Sequence, residues 1–341
     1  MRQVMQLAAM MAIGAVLAAC SVSAKEDGAI EARERKGGFL GLATRAEVEV
    51  QTPAAFEQRQ RVVIGGFKVG FNESKKMQNK AGSGFGGKST GLVKLQGVSD
   101  ATRQQITDRA YRDWIATLEA KGYTIVPRSQ LTSNEAYAKV KHYEFPYTSD
   151  DSGFLSEYGQ ATYFSPSAIG DRQPVFMGEI QGVSGGFGFS SPNAAAAEFG
   201  KETDIAVLNV TYFVDFAGAE GHGGSWSASS SLQVGQLLAV DRGRLGLTAG
   251  HGGTFSDKVG AMELGQPVAS QKAFARIEET TSGAEKGVET AANLFSAVLG
   301  GGTNQTRKFV YHAEEDKYRA ASMEVLRNAN QRFVARMVEL R

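Results

Sequence analysis

Three stretches of the 341-residue chain carry residue types at spacings that serve chemistry. Gly82-Ser-Gly-Phe-Gly-Gly87-Lys88-Ser89 has the spacing of a phosphate-binding loop, where backbone amides, a lysine and a hydroxyl hold a nucleoside triphosphate and its magnesium. Gly82, Gly84 and Gly87 also satisfy a dinucleotide fingerprint. Gly182-Val183-Ser184-Gly185-Gly186 has the spacing of a nucleophile elbow, and Asp241 and His251 follow it in the order that some hydrolases use. His222-Gly-Gly and His251-Gly-Gly are further candidates, for oxyanion-binding loops. The third stretch ends in Cys20, the only cysteine, which excludes a disulfide framework within the chain.

Each of these spacings works only on the right elements. A phosphate loop needs a buried strand before it and a helix after it, because the phosphates rest on the helix amino terminus. Met77 to Ala81 does not read as a buried strand, and Gly91 to Gly97 does not read as a helix. Leu237 to Asp241 could imitate the magnesium-binding aspartate strand, yet it ends a serine-rich striped segment. An elbow serine must be followed by a helix, which Gly185, Gly186, Gly188 and Pro192 oppose. The first motif therefore reads as a flexible basic loop and the second as a glycine-rich turn, with an exported serine hydrolase using Ser184 kept as the alternative. His142, His222, His251 and His312 stand far apart without a helical pair, so neither a metal nor a cofactor is expected. Glu314, Glu315 and Asp316 suit the start of a helix, where acidic groups complement its dipole, and Trp114 lies on an apolar stripe that belongs in a core.

Arg2, the uncharged apolar run Leu7 to Leu17 and the small residues before Cys20 form a secretory signal over residues 1–19. The run is shorter than the roughly 20 residues a spanning helix needs. Leu17-Ala18-Ala19-Cys20 resembles the lipobox of bacterial lipoproteins, which implies lipidation at Cys20 and cleavage before it. Ser21 after the cysteine, in place of Asp, resembles the pattern sorted to the outer membrane, so a lipid anchor on its periplasmic face is expected. Residues 20–38 read as the lipidated cysteine and a solvated tether, and residues 39–341 as one globular domain.

The fold class read from the sequence is α+β: a mixed β-sheet with packed helices. Arg61 to Phe71 reads as a buried strand, Asp100 to Lys121 as a helix capped by Ser99 or Asp100, and Tyr123 to Val126 as a second strand, giving a βαβ-like N-terminal part. Residues 72–99 and 145–200 read as glycine-rich insertions, the second with one strand near Pro174 to Gln181. Asp204 to Phe216 and Ser225 to Val240 alternate with period two and predict a long antiparallel hairpin around a turn at Ala217 to Gly224. Further strands are expected at Arg244 to Thr248, Ala273 to Thr280 and Arg307 to His312. Helices are expected at Ser133 to Lys141, Val288 to Leu299 and Lys317 to Leu340. Lys and Arg number 37 against 36 Asp and Glu, which excludes a charge-driven nucleic-acid partner.

Three further stretches suggest a family. Val62-Val-Ile-Gly-Gly-Phe67 resembles the opening strand of CsgG-like lipoproteins, the curli-secretion channel group and its relatives. Trp114-Ile-Ala-Thr-Leu118 followed by Gly122 to Leu131 is similar to their helix, short strand, arginine and small cap. Ser184-Gly-Gly-Phe-Gly188 and the alternating strand after it are similar to a later glycine-rich run and strand. The resemblance implies a non-catalytic periplasmic α+β domain held to the outer membrane by lipid. It also implies envelope protein partners, homo-oligomers, and in channel members hairpins that complete a shared barrel. The expected function is to aid secretion or assembly of a surface or periplasmic structure. A solitary ligand- or peptidoglycan-binding lipoprotein is a further alternative.

Overall fold

The computed structural model describes residues 20–37, 43–81, 87–150, 158–183, 191–222, 230–250, 259–298 and 303–341. Apart from one-turn helices and some two-residue strands, the elements in chain order are β1 (Ser21–Ala29), β2 (Val48–Gln51), β3 (Arg61–Asn72), β4 (Ser74–Lys80), β5 (Lys88–Gln96), α1 (Asp100–Ala120), β6 (Thr124–Ile125), β7 (Tyr147–Asp150) and β8 (Gln160–Phe164). Then come α2 (Pro192–Thr203), β9 (Ala206–His222), β10 (Ser231–Thr248), β11 (Val259–Leu264), β12 (Val268–Ser270), β13 (Ala275–Glu279), α3 (Gly283–Val298), β14 (Asn304–Ala313) and α4 (Glu315–Leu340). The fold is α+β, a mixed sheet of many strands with packed helices.

The main sheet runs β7-β8-β3-β9-β10-β11-β2, with β6 added to β3, and with β1 and β12 added to β10. β9 lies parallel to β3 and antiparallel to β10, so the sheet is mixed. A second sheet of four strands runs β13-β14-β5-β4.

The helix α1 forms where the sequence places it: the Ser99 hydroxyl accepts from Thr102 N at 3.2 Å, and Gly122, at φ +82°, ends the turn that follows. Its stripe of Ile106, Ala110, Trp114 and Leu118 is fully buried, as is the α4 stripe from Tyr318 to Met337. Both cover the face of β3 and β9 that carries Ile64, Phe67, Val69, Leu208, Val210, Tyr212 and Val214. Each such large apolar side chain removed from water contributes roughly 1.5–3 kcal/mol. Asn330 of α4 ties the layers, accepting from the Tyr212 hydroxyl at 2.8 Å and donating to the Ala110 carbonyl at 3.0 Å. β6 pairs parallel with β3, completing the expected βαβ unit.

The opposite face of the sheet is covered too. Val63 and Val207 pack against Ala195, Ala196 and Phe199 of α2, and Phe213 packs with Tyr163 and Ile180. The first arm of the β9 and β10 hairpin is therefore buried at every position from Ala206 to Gly218, instead of having one apolar and one wet face there.

Several sequence expectations are corrected here. Ser21–Ala29 is a strand paired in parallel with the start of β10, where a solvated tether was expected, because Val22 and Ile30 have apolar seats to fill. The span from Asn72 to Ser99 holds the hairpin of β4 and β5 in place of a loop insertion. Pro174 to Gln181 is irregular, and the described strands of its region are β7, β8 and the two-residue strand Arg172–Gln173. Ala217 to His222 continue β9 past the expected turn, paired with Gln236 back to Ser231.

Candidate functional site

The outer halves of β9 and β10, with β1, lie against the four-stranded sheet, and the contact is close because Gly91 has no side chain. A Cβ there would sit 2.8 Å from Val234 Cγ1. This pair of layers ends in a pole where six strand termini meet. Lys80 is paired with Lys88, Lys88 with Asn304, His222 with Ser231, and Ser21 with Ser231. Asn79 Nδ2 spans the layers, donating to the carbonyls of His222 at 3.1 Å and Ser231 at 2.9 Å.

Cys20 sits in the middle of this pole, 4% exposed, immediately before β1. Its thiol donates to the Thr303 carbonyl at 3.0 Å and accepts from the Ser230 hydroxyl at 3.3 Å and the Ser230 amide at 3.4 Å. Its own amide donates to Thr303 Oγ1 at 3.1 Å. Burial pushes the thiol pKa up, and the hydrogen bonds from Ser230, Thr303 and Ser89 outweigh it, leaving the thiol more acidic than an ordinary cysteine.

The helix α3 stands beside the same pole. β13 pairs with β14 only from Phe309 to Ala313, and α3 with its lead-in covers the rest of that edge. Val288, on α3, is 72% exposed, a large apolar side chain left in water among the described residues.

Two buried charge clusters lie deeper in the main sheet. Lys68 Nζ meets Glu179 Oε2 at 2.8 Å with both side chains fully buried, and Asn209 and the Phe176 amide donate to the same carboxylate. Burial pushes the Lys68 pKa down while Glu179 opposes the shift. Asp215, at a bulge in β9, accepts from Asn72 Nδ2 at 2.8 Å and Lys75 Nζ at 2.5 Å. A cleft of about 460 Å³ opens beside the first cluster, lined by Arg35, Arg45, Arg242 and Arg244 together with Glu49 and Glu263.

The chemical motifs of the sequence fall as follows. Gly82–Gly86 lie outside the described residues, and Lys88 and Ser89 open a strand where a phosphate loop needs a helix. The Ser89 hydroxyl is buried 2.9 Å from the Ser230 carbonyl, so it faces protein. Ser184 and His251 lie outside the described residues. Asp241 is engaged by Arg35 at 2.8 Å and by the Tyr158 hydroxyl at 2.5 Å, and no described histidine hydrogen-bonds to it. No group of three potential metal ligands gathers among the described residues. Glu314, Glu315 and Asp316 do open α4, and Glu315 also reaches the start of α1, where its carboxylate accepts from the Ser99 amide and hydroxyl.

The lysine pairing at Lys80 and Lys88 and the asparagine contact between Asn293 and Asn304 were not singled out from the sequence. Alternation of Lys76, Gln78 and Lys80 about Met77 and Asn79 was the available signal. Compared with family models, with curated proteins and with solved structures, the chain matches none of them.

Proposed function

We propose that this protein is a CsgG-like envelope lipoprotein, acylated at Cys20 and held to the periplasmic face of the outer membrane, which works by assembly with other envelope proteins or its own copies. Its task on this reading is to aid secretion or assembly of a surface or periplasmic structure, without catalysis.

The observation that carries the reading is the position of Cys20. The residue that matches the lipobox opens the first strand at the pole where the last described pair of the longest hairpin, His222 and Ser231, and Asn293 of α3 also gather. Acyl chains on Cys20 would bring that pole to the bilayer, and several chains make a stable anchor at about 0.8 kcal/mol per buried methylene. No described helix is long and apolar enough to cross a membrane, so lipid and strands are the routes left to the described elements.

Two measurements test the proposal. Cys20→Ala abolishes acyl labelling and makes the protein extractable from membranes by high salt without detergent; unchanged labelling refutes the lipoprotein assignment. The native mass of the detergent-extracted particle is a multiple of the chain mass, and a solitary chain overturns assembly.

A further inference from the structure

On the hairpin of β4 and β5, even-numbered residues of β4 face away from the main sheet, since Met77 is buried and Asn79 bonds into β9 and β10. Lys76, Gln78 and Lys80 share that outer face, and the ladder sets Lys80 directly opposite Lys88. With its amide turned, Gln78 presents its oxygen to Lys76 Nζ at 3.3 Å and Lys88 Nζ at 3.2 Å. Lys80 and Gln78 are exposed, and Lys76 and Lys88 are half-buried.

Like charges directly opposite each other in a sheet are destabilising. A soluble sheet normally relieves such a pair with a carboxylate. Here every described ion pair involves other cations, and none of the three ammonium groups meets an acid among the described residues. Lys88 feels burial first and then the charges of Lys76 and Lys80, all of which lower its pKa.

The location supplies the reason. The Thr303 carbonyl that accepts from the Cys20 thiol at 3.0 Å also accepts from the Lys88 amide at 3.0 Å. The uncompensated cations thus begin one hydrogen-bond acceptor away from the proposed anchor. A basic patch beside a lipid anchor adds electrostatic attraction to anionic headgroups at the surface. The whole chain is balanced in charge, so this face is a local feature rather than a general basicity.

We propose that the Lys76, Lys80 and Lys88 face binds the phosphates of anionic phospholipid headgroups, a second membrane contact beside the Cys20 anchor. The inference rests on the lipoprotein reading for its orientation, but its test does not use the acyl chains.

The full chain carrying Cys20→Ser is mixed with phosphatidylcholine vesicles, with and without phosphatidylglycerol, and bound protein is separated by flotation. Binding rises with phosphatidylglycerol and falls with added salt. In the same background Lys76→Gln, Lys80→Gln and Lys88→Gln together lower partitioning on the order of 100-fold, from about fivefold per lysine at an anionic surface. Because these changes remove repulsion, thermal unfolding of the triple variant is no lower than that of its parent, which separates lost binding from lost folding. Equal binding to both vesicles, or an unaffected triple variant, overturns the proposal. So does displacement from vesicles by inorganic phosphate at matched phosphate concentration, which would identify a site for a soluble anion. Acyl labelling of the native chain is unaffected by any of these outcomes, so failure here leaves the anchor reading standing.

Discussion

Asn293 holds both backbone groups of Asn304. Its Oδ1 accepts from the Asn304 amide at 2.7 Å, and its Nδ2 donates to the Asn304 carbonyl at 2.6 Å. An antiparallel neighbour makes the same two bonds with a paired residue. Two residues on, the Thr306 amide donates to Glu289 at 2.6 Å, and beyond it the Lys308 amide donates to Thr281 Oγ1 at 2.9 Å. The alternate amides of β14 that β13 does not reach are thereby satisfied by side chains of α3 and the residues leading into it. An uncovered strand edge is a template for another chain, and α3 closes this one.

Asn293→Ala removes both contacts to Asn304 while leaving the helix a good helix former. Hydrogen exchange at the Asn304 amide should accelerate roughly fivefold to tenfold, the equivalent of about 1 kcal/mol for a lost hydrogen bond. Exchange at Phe309 and Tyr311, inside the paired part of β14, should not change. Unaltered exchange at Asn304 would show that the edge is held by something other than this side chain.

The Lys68 and Glu179 pair is sealed from water, so each charge depends on the other. Lys68→Met leaves a buried carboxylate without its cation and should cost about 3–5 kcal/mol in urea unfolding. Combining it with Glu179→Leu should recover most of that loss, since both charges then leave the core together. A double variant as unstable as the single one would mean that the pair acts through the Asn209 and Phe176 contacts instead.

Glu315 links the starts of α1 and α4, and the Ser99 hydroxyl and amide, followed by Thr102, draw its pKa from the ordinary 4.5 down to about 2. A carboxylate with a lowered folded-state pKa favours folding when ionised. Its contribution is complete above pH 4.5, declines as pH falls, and is gone below about 2. The stability difference between the parent and Glu315→Gln should therefore shrink across that window and stay flat above it. A difference that persists unchanged to the acid end would place the stabilisation elsewhere.

Elements whose two faces differ were legible in the sequence. Ile106, Ala110, Trp114 and Leu118 mark α1 by their spacing, and Ser99 marks its start. β4 was hidden because its outer face carries lysines and glutamine, and its inner face carries Lys75, which reaches Asp215 across the layers. α2 had a signal in Ser191, Pro192 and the alanine run, with Ser191 Oγ accepting from Ala194 N at 3.2 Å. Among many glycines that signal was outweighed. Pro174 to Gln181 looked like a strand, yet Gln173 takes the ladder's part, bonding the Phe67 amide at 3.0 Å and carbonyl at 3.2 Å through its side chain. The pole itself was not legible, since Cys20, Lys88, Ser230 and Thr303 meet only when four separate strands are brought to one end.

The hairpin of β9 and β10 allows a sharper test of how the protein meets the membrane. Its strands span 17 and 18 residues, longer than the roughly 9 to 11 that a membrane-crossing strand needs. Length therefore permits insertion. Burial argues for a different use of both halves: Val210, in the inner half, is 0% exposed against the helices, and Leu232, in the outer half, is 3% exposed against the four-stranded sheet. A lipid-facing stripe would have to give up those contacts, and one hairpin cannot close a barrel without strands from other copies. Arginine at either position would be costly in both settings, so stability does not separate them. Accessibility does. In full-length protein with Cys20→Ser, single cysteines placed at Val210 and Leu232 should resist both a water-soluble and a lipid-soluble thiol reagent, before and after addition of vesicles. Labelling of Leu232→Cys from the lipid phase, with Val210→Cys still protected, would mean that the outer half of the hairpin leaves the four-stranded sheet to enter the bilayer. Labelling of both would overturn the packing of the hairpin under α1 and α4.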